Sequence, residues 1–427
     1  MVNDRSVSPD EFLFAYETSP RAVISGPKET AYRNVLNRMA ERILLAQEAE
    51  RLGLHADPEN VRELQNLEDA AIRRELFMRQ IRNKVDVTED DCRKAFLKDQ
   101  QTLWIQHAII GSEEQMIPGE WKPEWRHVQI NPSVKTVEKP GFGPIDLVRW
   151  NDVDETLEEV LFSLAPGELS GAIIKNGYTH IFRLVNTETN VMLSENEYNL
   201  QREHYRSAIT KRKEHRLAFK FVQDVMSPEN LTIRHQTLNQ LTEALWQQQV
   251  AKDSVTMKSP GELNLNPLSL DDLNEKELAT FSSGNVSVED FRFLFRMNPL
   301  ELSKESKLEL KQNIINAIGL YVRDIVFAEK GRALDLENVI EVQDDFKYWR
   351  ERLLASKMEA SVYAKYTDEG IEISEEIVAD AVAEYDQLRE TLMQAANITI
   401  NEELLMTIET SDEGLSRKID FFANYLN

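Results

Sequence analysis

The chain has one cysteine, Cys92, in 427 residues. That count excludes an internal disulfide and a cysteine-built metal site, and it leaves the redox compartment open. A small buried hydrophobe on a helix is the expected role for Cys92. Runs of eighteen or more apolar residues are missing, and the opening "MVNDRSVSPDEF" has neither the apolar stretch nor the cleavage pattern of a signal peptide. If the protein is exported, this chain is expected to be a processed or trimmed form. Positive charge is in deficit: 50 Lys and Arg against 74 Asp and Glu give a net charge of −24. Such a surface repels nucleic-acid phosphates and anionic lipid, which argues against genome binding as a function. The sequence holds no G-x-x-x-x-G-K-[ST] loop, G-x-S-x-G elbow or H-E-x-x-H pair, so no nucleotide and no cofactor is implied. His204 and His215 can share a helix face, but they have no carboxylate or cysteine partner that points to a metal.

What is present is an apolar content of 41%, enough for a sizeable core, in a length that fits two to four domains. It also contains an internal repeat. "VSPDEFLFAYETSP" (Val7–Pro20) returns as "VSVEDFRFLFRMNP" (Val286–Pro299), an offset of 279 that also pairs Val35 with Ile314, Met39 with Ile318 and Ile43 with Val322. Those apolar positions recur at helical spacing. A second anchor pairs "VDVTED" from Val85 with "IEISEE" from Ile371, each reading as a capped helix start, at offset 286. A third pairs "NLTIRHQTLNQL" from Asn230 with "NITINEELLMTI" from Asn397, at offset 167. Short helical segments match by chance, but three anchors in one order favour a duplication with about 119 extra residues inserted into the first copy. Before Val286 stands "LATFSSGNVSVEDF", a strand and turn leading into the unit, whereas six residues precede Val7. An upstream strand lost with a processed or trimmed amino terminus is the expectation.

The insert reads as α+β. "TLWIQHAII" from Thr102 is a β-type run around His107, Pro118, Pro123 and Pro132 argue against one long helix after it, and "GFGPIDLVRW" reads as turn then strand. "VDETLEEVLFSLAPGELSG" is a short capped helix with Leu157, Leu161, Phe162 and Leu164 facing inward, and "AIIKNGYTHIFRL" is a hairpin carrying His180. A long helix is expected over Glu195–Val225. Its basic run "KRKEHR" from Lys211 reads as a solvated face with partners on the same helix. In "LTEALWQQQVAKD", Trp246 is expected to be buried rather than an exposed anchor.

"TLEEVLFSLAPGELSGAIIKNGYTHIFRL" resembles the carboxy-terminal half of a parvulin-type peptidyl-prolyl isomerase domain, and "IQHAIIGSEE" is similar to that family's first strand. With helical units on either side, the chain resembles the SurA and PrsA class of envelope foldases. The resemblance implies an α+β, predominantly α-helical fold. Its helical chaperone unit is duplicated: the first copy spans 1–100 and 191–245, a parvulin-like domain is inserted at 101–190, a connector occupies 246–284, and the second copy spans 285–427. It also implies a catalytic set carried by His107, Thr136 and His180, and a proline pocket formed by Ile145, Val153, Leu157 and Phe162. Thr136 stands where the family has cysteine or aspartate, Val153 where it has methionine and Leu157 where it has phenylalanine. An X-Pro bond rotates over a barrier of about 18 to 20 kcal/mol. Catalysis needs an apolar cup for the ring and polar groups that favour the twisted amide. Two readings of the histidines stand: a catalytic pair, or a pair that hydrogen-bonds within the sheet.

The function this implies is an ATP-independent holdase of the periplasm or cell envelope. It would bind unfolded polypeptide clients, including outer-membrane β-barrel precursors, with weak or no isomerase activity. Nucleic acid and nucleotide are not among the expected partners, and the protein is expected to be membrane-proximal without spanning the bilayer. The alternatives are an active peptidyl-prolyl isomerase and a scaffold subunit of an envelope complex.

Overall fold

The structure is a computed structural model that describes residues 1–110, 116–118, 129–131, 142–175, 178–190, 194–253, 272–298, 306–366 and 375–409. Thr136, Pro123, Pro132 and positions 371–374 of the second repeat anchor lie outside the described residues. The fold is α+β and predominantly α-helical. It divides into two compact units, one of Met1–Gln80 with Ala218–Asn427 and one of Ile81–Leu217.

The first unit is built from two similar runs of elements. Helix α1 (Pro9–Glu17) begins at Ser8, whose Oγ accepts the Glu11 N–H. After the short α2 (Arg21–Ile24), α3 (Lys28–Arg51) and α4 (Pro58–Gln80) form a helical hairpin. Gly53 turns it with a left-handed φ of 78°, a conformation that glycine adopts without a steric cost.

In the second half of the chain Ser287 caps α9 (Val288–Met297) with a full capping box to Asp290. Helices α10 (Lys307–Arg332) and α11 (Ile340–Ala364) repeat the hairpin, and Asp335 at φ 59° stands at the turn. The hairpins interlock, with α11 packed on α3 and α4 and α10 packed on α4. Leu45, Ala46 and Ala49 meet Leu354, Ala355, Met358 and Val362 in one apolar cluster.

Each closing segment packs on the other run of elements. Strand β7 (Thr232–Ile233) and helix α8 (His235–Asp253) come after the end of α7 (Glu195–Met226), yet they pack on the second half. There β7 pairs with β8 (Glu277–Phe281), which pairs with β9 (Gly284–Ser287). Leu238, Leu241 and Leu245 of α8 join Phe291, Ile314 and Ile318 in one core. In return, helix α12 (Glu375–Ala395) leads into Ile398, which bridges Val2, and α13 (Glu402–Thr407) brings Leu405 against Phe12, Tyr32 and Met39. Of the expected first helical unit, 1–100/191–245, residues 1–80 and 218–245 share one compact unit with the expected second, 285–427, while residues 81–100 and 191–217 fall in the other. Part of the expected connector, 246–284, is core: Leu273, Leu278, Ala279 and Phe281 are buried there.

The second unit carries a sheet of β1 (Gln101–Ile110), β2 (Met116–Pro118), β3 (Gln129–Asn131), β4 (Ile145–Val148), β5 (Ala172–Lys175) and β6 (Tyr178–Thr189). The spatial order is β2-β1-β6-β5-β3, with β4 also paired to β1. Helix α6 (Glu155–Ser163), capped by Asp154, lays Leu157 and Leu161 against Leu103, Ile105, Phe182 and Leu184. The unit extends beyond 101–190 because helix α5 (Glu89–Asp99) and much of α7 pack here. Cys92, Ala95 and Phe96 of α5 meet Trp150, Tyr198 and Tyr205. Cys92 is fully buried, and burial pushes its thiol pKa up, which makes it unreactive.

Candidate functional site

The central strand pair β1 and β6 brings the two histidines together. Phe182 stands opposite His107 and Ile109 opposite His180, so side chains 180 and 182 share the face of 107. His107 Nε2 lies 2.9 Å from His180 Nδ1, a distance at which one ring donates and the other accepts. The Phe182 ring stacks on His107 at 4.7 Å between centroids. His107 is 0% exposed and His180 5%. Both rings are closed off from solvent, and the contact between His107 Nε2 and His180 Nδ1 gives each ring one polar partner within the sheet.

The other sequence-derived site residues divide. Val153 and Leu157 are buried in the cluster with Leu103, Ile105 and Phe182, where they fill the core. Phe162 is only partly buried; it touches both that cluster and the α5 cluster, with the Lys98 ammonium 5.6 Å above its ring. Ile145 is on the wrong side of the sheet. It pairs with Gln106, whose side chain points away from the His107 face, and it is 47% exposed. The set of four does not form one cup around the histidines. Thr136 lies outside the described residues.

The "PGELS" stretch acts as a latch on β6. Gly167, at φ 89°, donates its N–H to Leu184 O (2.7 Å), and Glu168 takes the Ala165 N–H (2.7 Å). Ser170, 2% exposed, accepts the Phe182 N–H (2.9 Å) and donates to Gly171 O. Every polar group named here holds backbone, which is a structural task.

Sequence reasoning missed a buried carboxylate cluster. Glu158, 1% exposed, accepts from Lys98 Nζ (3.1 Å), Arg212 Nη2 (2.6 Å) and the Asn151 N–H (3.0 Å). Burial alone raises a carboxyl pKa, but these partners outweigh it and leave Glu158 below the usual range. One of these partners, Arg212, comes from the basic run. Arg212 binds Glu158, Lys213 binds Asp91 (2.8 Å) and Arg216 binds Glu155 (2.5 Å), so the run joins α7 to α5 and α6 and is not a solvated face with partners on its own helix. The signal for this was an acidic helix, "DETLEEV", matched in charge to the run.

A second feature, in the helical unit, had no motif to announce it. Between α1, α3 and the 398–408 segment lies an apolar groove of about 300 Å³, lined by Phe12, Leu36, Met39, Ile400, Leu404 and Leu405 among others.

Compared with protein-family models, curated proteins and solved structures, the chain matches none. Among the described residues no helix is long and apolar enough to cross a membrane, and no group of three His, Cys, Asp or Glu is placed to hold a metal ion.

Proposed function

We propose that the protein is an ATP-independent holdase of the cell envelope that binds unfolded polypeptides, including β-barrel precursors, in the manner of the SurA and PrsA class it resembles. One contrast carries this reading: the histidine pair is closed, with His107 fully buried, while the helical unit holds an open apolar groove of about 300 Å³. Binding is therefore favoured over catalysis. Unfolded chains expose apolar side chains and unpaired strand edges, and a groove that shields both needs no strong sequence preference. A net charge of −24 limits self-association of a protein that must keep such a surface exposed. The sheet unit, on this reading, is a parvulin-like module retained for binding, without isomerase activity. The test is light scattering of a urea-unfolded β-barrel protein diluted into buffer. Substoichiometric protein is expected to delay the rise in scattering, and an unchanged time course at equimolar protein refutes the proposal.

A further inference from the structure

The two closing segments of the helical unit are held unequally. Helix α8 sets Leu238, Leu241 and Leu245, each fully buried, into the core with Phe291 and Ile314. The segment 397–409, which carries the six-residue α13, buries one side chain, Leu405, against Phe12, Tyr32, Val35 and Met39, with Ile408 partly buried beside it. From Ile400 onward its ties to α3 are polar: the Tyr32 hydroxyl donates to Ile408 O (2.9 Å), Lys28 Nζ donates to Met406 O (3.2 Å), and Arg33 pairs with Glu402 (3.1 Å) through half-exposed side chains. Exposed ties of this kind add little stability.

The seat beneath this segment is incompletely filled. The groove of about 300 Å³ lies between it and the α1–α3 face, lined by Ile400 and Leu404 of the segment and by Phe12, Leu36 and Met39 of the helices. Groups that face each other across a gap lose the dispersion contacts that close packing supplies. One buried anchor, exposed polar ties and a gap beneath are the marks of an element that opens by itself, well below the free energy of global unfolding. The face it covers is apolar, and Phe12, Tyr32, Val35 and Met39 are all buried in the closed state.

We infer that 397–409 is a detachable, autoinhibitory strap: it opens by local unfolding while α1 and α3 stay folded, and apolar side chains of an unfolded client take the places of Leu405 and Ile408 on the uncovered face. The strap itself shows what that face accepts. It is a stretch of polypeptide seated there by an apolar side chain, with its main-chain carbonyls held by Tyr32 and Lys28, and any unfolded chain offers both kinds of group. The inference deepens the holdase reading, on which it rests for the identity of the client, and states how the binding face is closed and opened.

Hydrogen-exchange mass spectrometry of the full chain is the first test. Peptides covering 402–408 should exchange about 100-fold or more faster than those of α3, at a rate that subdenaturing urea leaves nearly unchanged. Tyr32→Phe, which keeps the packed ring and removes the tie to Ile408 O, should speed that exchange further. Leu405→Glu removes the buried anchor and should raise the fluorescence of the apolar dye bis-ANS severalfold with the circular dichroism retained, whereas Leu404→Glu, at an exposed position, should leave it unchanged. Protection of 402–408 equal to that of α3, exchange that Tyr32→Phe does not speed, or dye binding that Leu405→Glu leaves at the wild-type level overturns the inference. In the scattering assay, Leu405→Glu should delay aggregation at a lower concentration than wild type. A wild-type delay that this variant does not strengthen overturns the autoinhibition while the holdase reading stands. Raised dye binding with no delay from either protein refutes the holdase reading and leaves the detachable strap standing.

Discussion

Glu158 keeps its charge although its side chain is 1% exposed, because Lys98, Arg212 and the Asn151 N–H surround it. Breaking a buried pair from one side leaves the partner charge unmatched, at a cost of about 3 to 5 kcal/mol. Glu158→Gln should therefore lower the urea unfolding free energy of this unit by ~3 kcal/mol, whereas Arg216→Ala, which breaks a pair with side chains 64% and 36% exposed, should cost less than about 1 kcal/mol. Asp91 gives a pH signature. The Lys213 ammonium, then the Thr88 backbone N–H, hold its carboxyl at about 2, below the usual 3.8. A depressed carboxyl stabilises the folded state above its unfolded pKa and loses that contribution as pH falls toward the folded one. Lys213→Met should move the Asp91 midpoint upward in a carbon-detected NMR titration and shift the acid-unfolding curve to higher pH within the window from about 4 to 2; an unmoved midpoint would show that Lys213 is not the cause. The buried histidines, His107 and His180, set up a test of the proposed lack of isomerase activity. A proline-peptide assay should give background rates for wild type and His180→Ala alike, and a wild-type rate above background that His180→Ala removes would restore the isomerase.

At the scale of elements, one glycine fixes how closely two helices approach. A Cβ built on Gly331 in α10 falls inside contact distance of Ile72 Cγ2 in α4, while one on Gly319 in the same helix meets nothing within 4 Å. Alanine gains about 1 kcal/mol over glycine in a helix interior. Overpacking costs about 1 to 3 kcal/mol. Gly331→Ala should therefore destabilise the protein and Gly319→Ala stabilise it, and two denaturation curves displaced in the same direction would count against this account of α4–α10 packing. Such helix faces were legible because Val35, Met39 and Ile43 recur at helical spacing, as do Ile314, Ile318 and Val322, and because Ser8 and Ser287 cap α1 and α9. The packing of each closing segment on the other run of helices was not legible, since periodicity records which face is buried and is silent about which element buries it. Ile145 shows the limit inside a strand. Its apolar character fits either face of the sheet, and the β1–β4 register decides which one it takes. The basic run from Lys211 failed for a related reason: its carboxylate partners lie on α5 and α6, 54 or more residues away in sequence.

At the scale of the whole molecule, each compact unit has its own apolar core. Ile81–Leu217 encloses the sheet cluster of Leu103, Ile105, Leu157 and Phe182 and the α5–α7 cluster of Phe96, Tyr198 and Tyr205. Its length falls within the common range for a domain that folds alone. The chain that encodes it is continuous, whereas the helical unit is assembled from residues on both sides of it. Ile81–Leu217 expressed by itself should therefore unfold cooperatively, with the near-ultraviolet dichroism of Trp150 and its tyrosine neighbours lost in a single step. The apolar groove belongs to the other unit, as its lining from Phe12 to Leu405 shows. If clients are held in that groove, the isolated sheet unit should leave the aggregation of a β-barrel client undelayed at concentrations where the full chain delays it. Equal protection by the isolated unit would move the client site to the sheet, where Ile145 and Leu147 are the large apolar side chains left exposed among the described residues of that unit's strands.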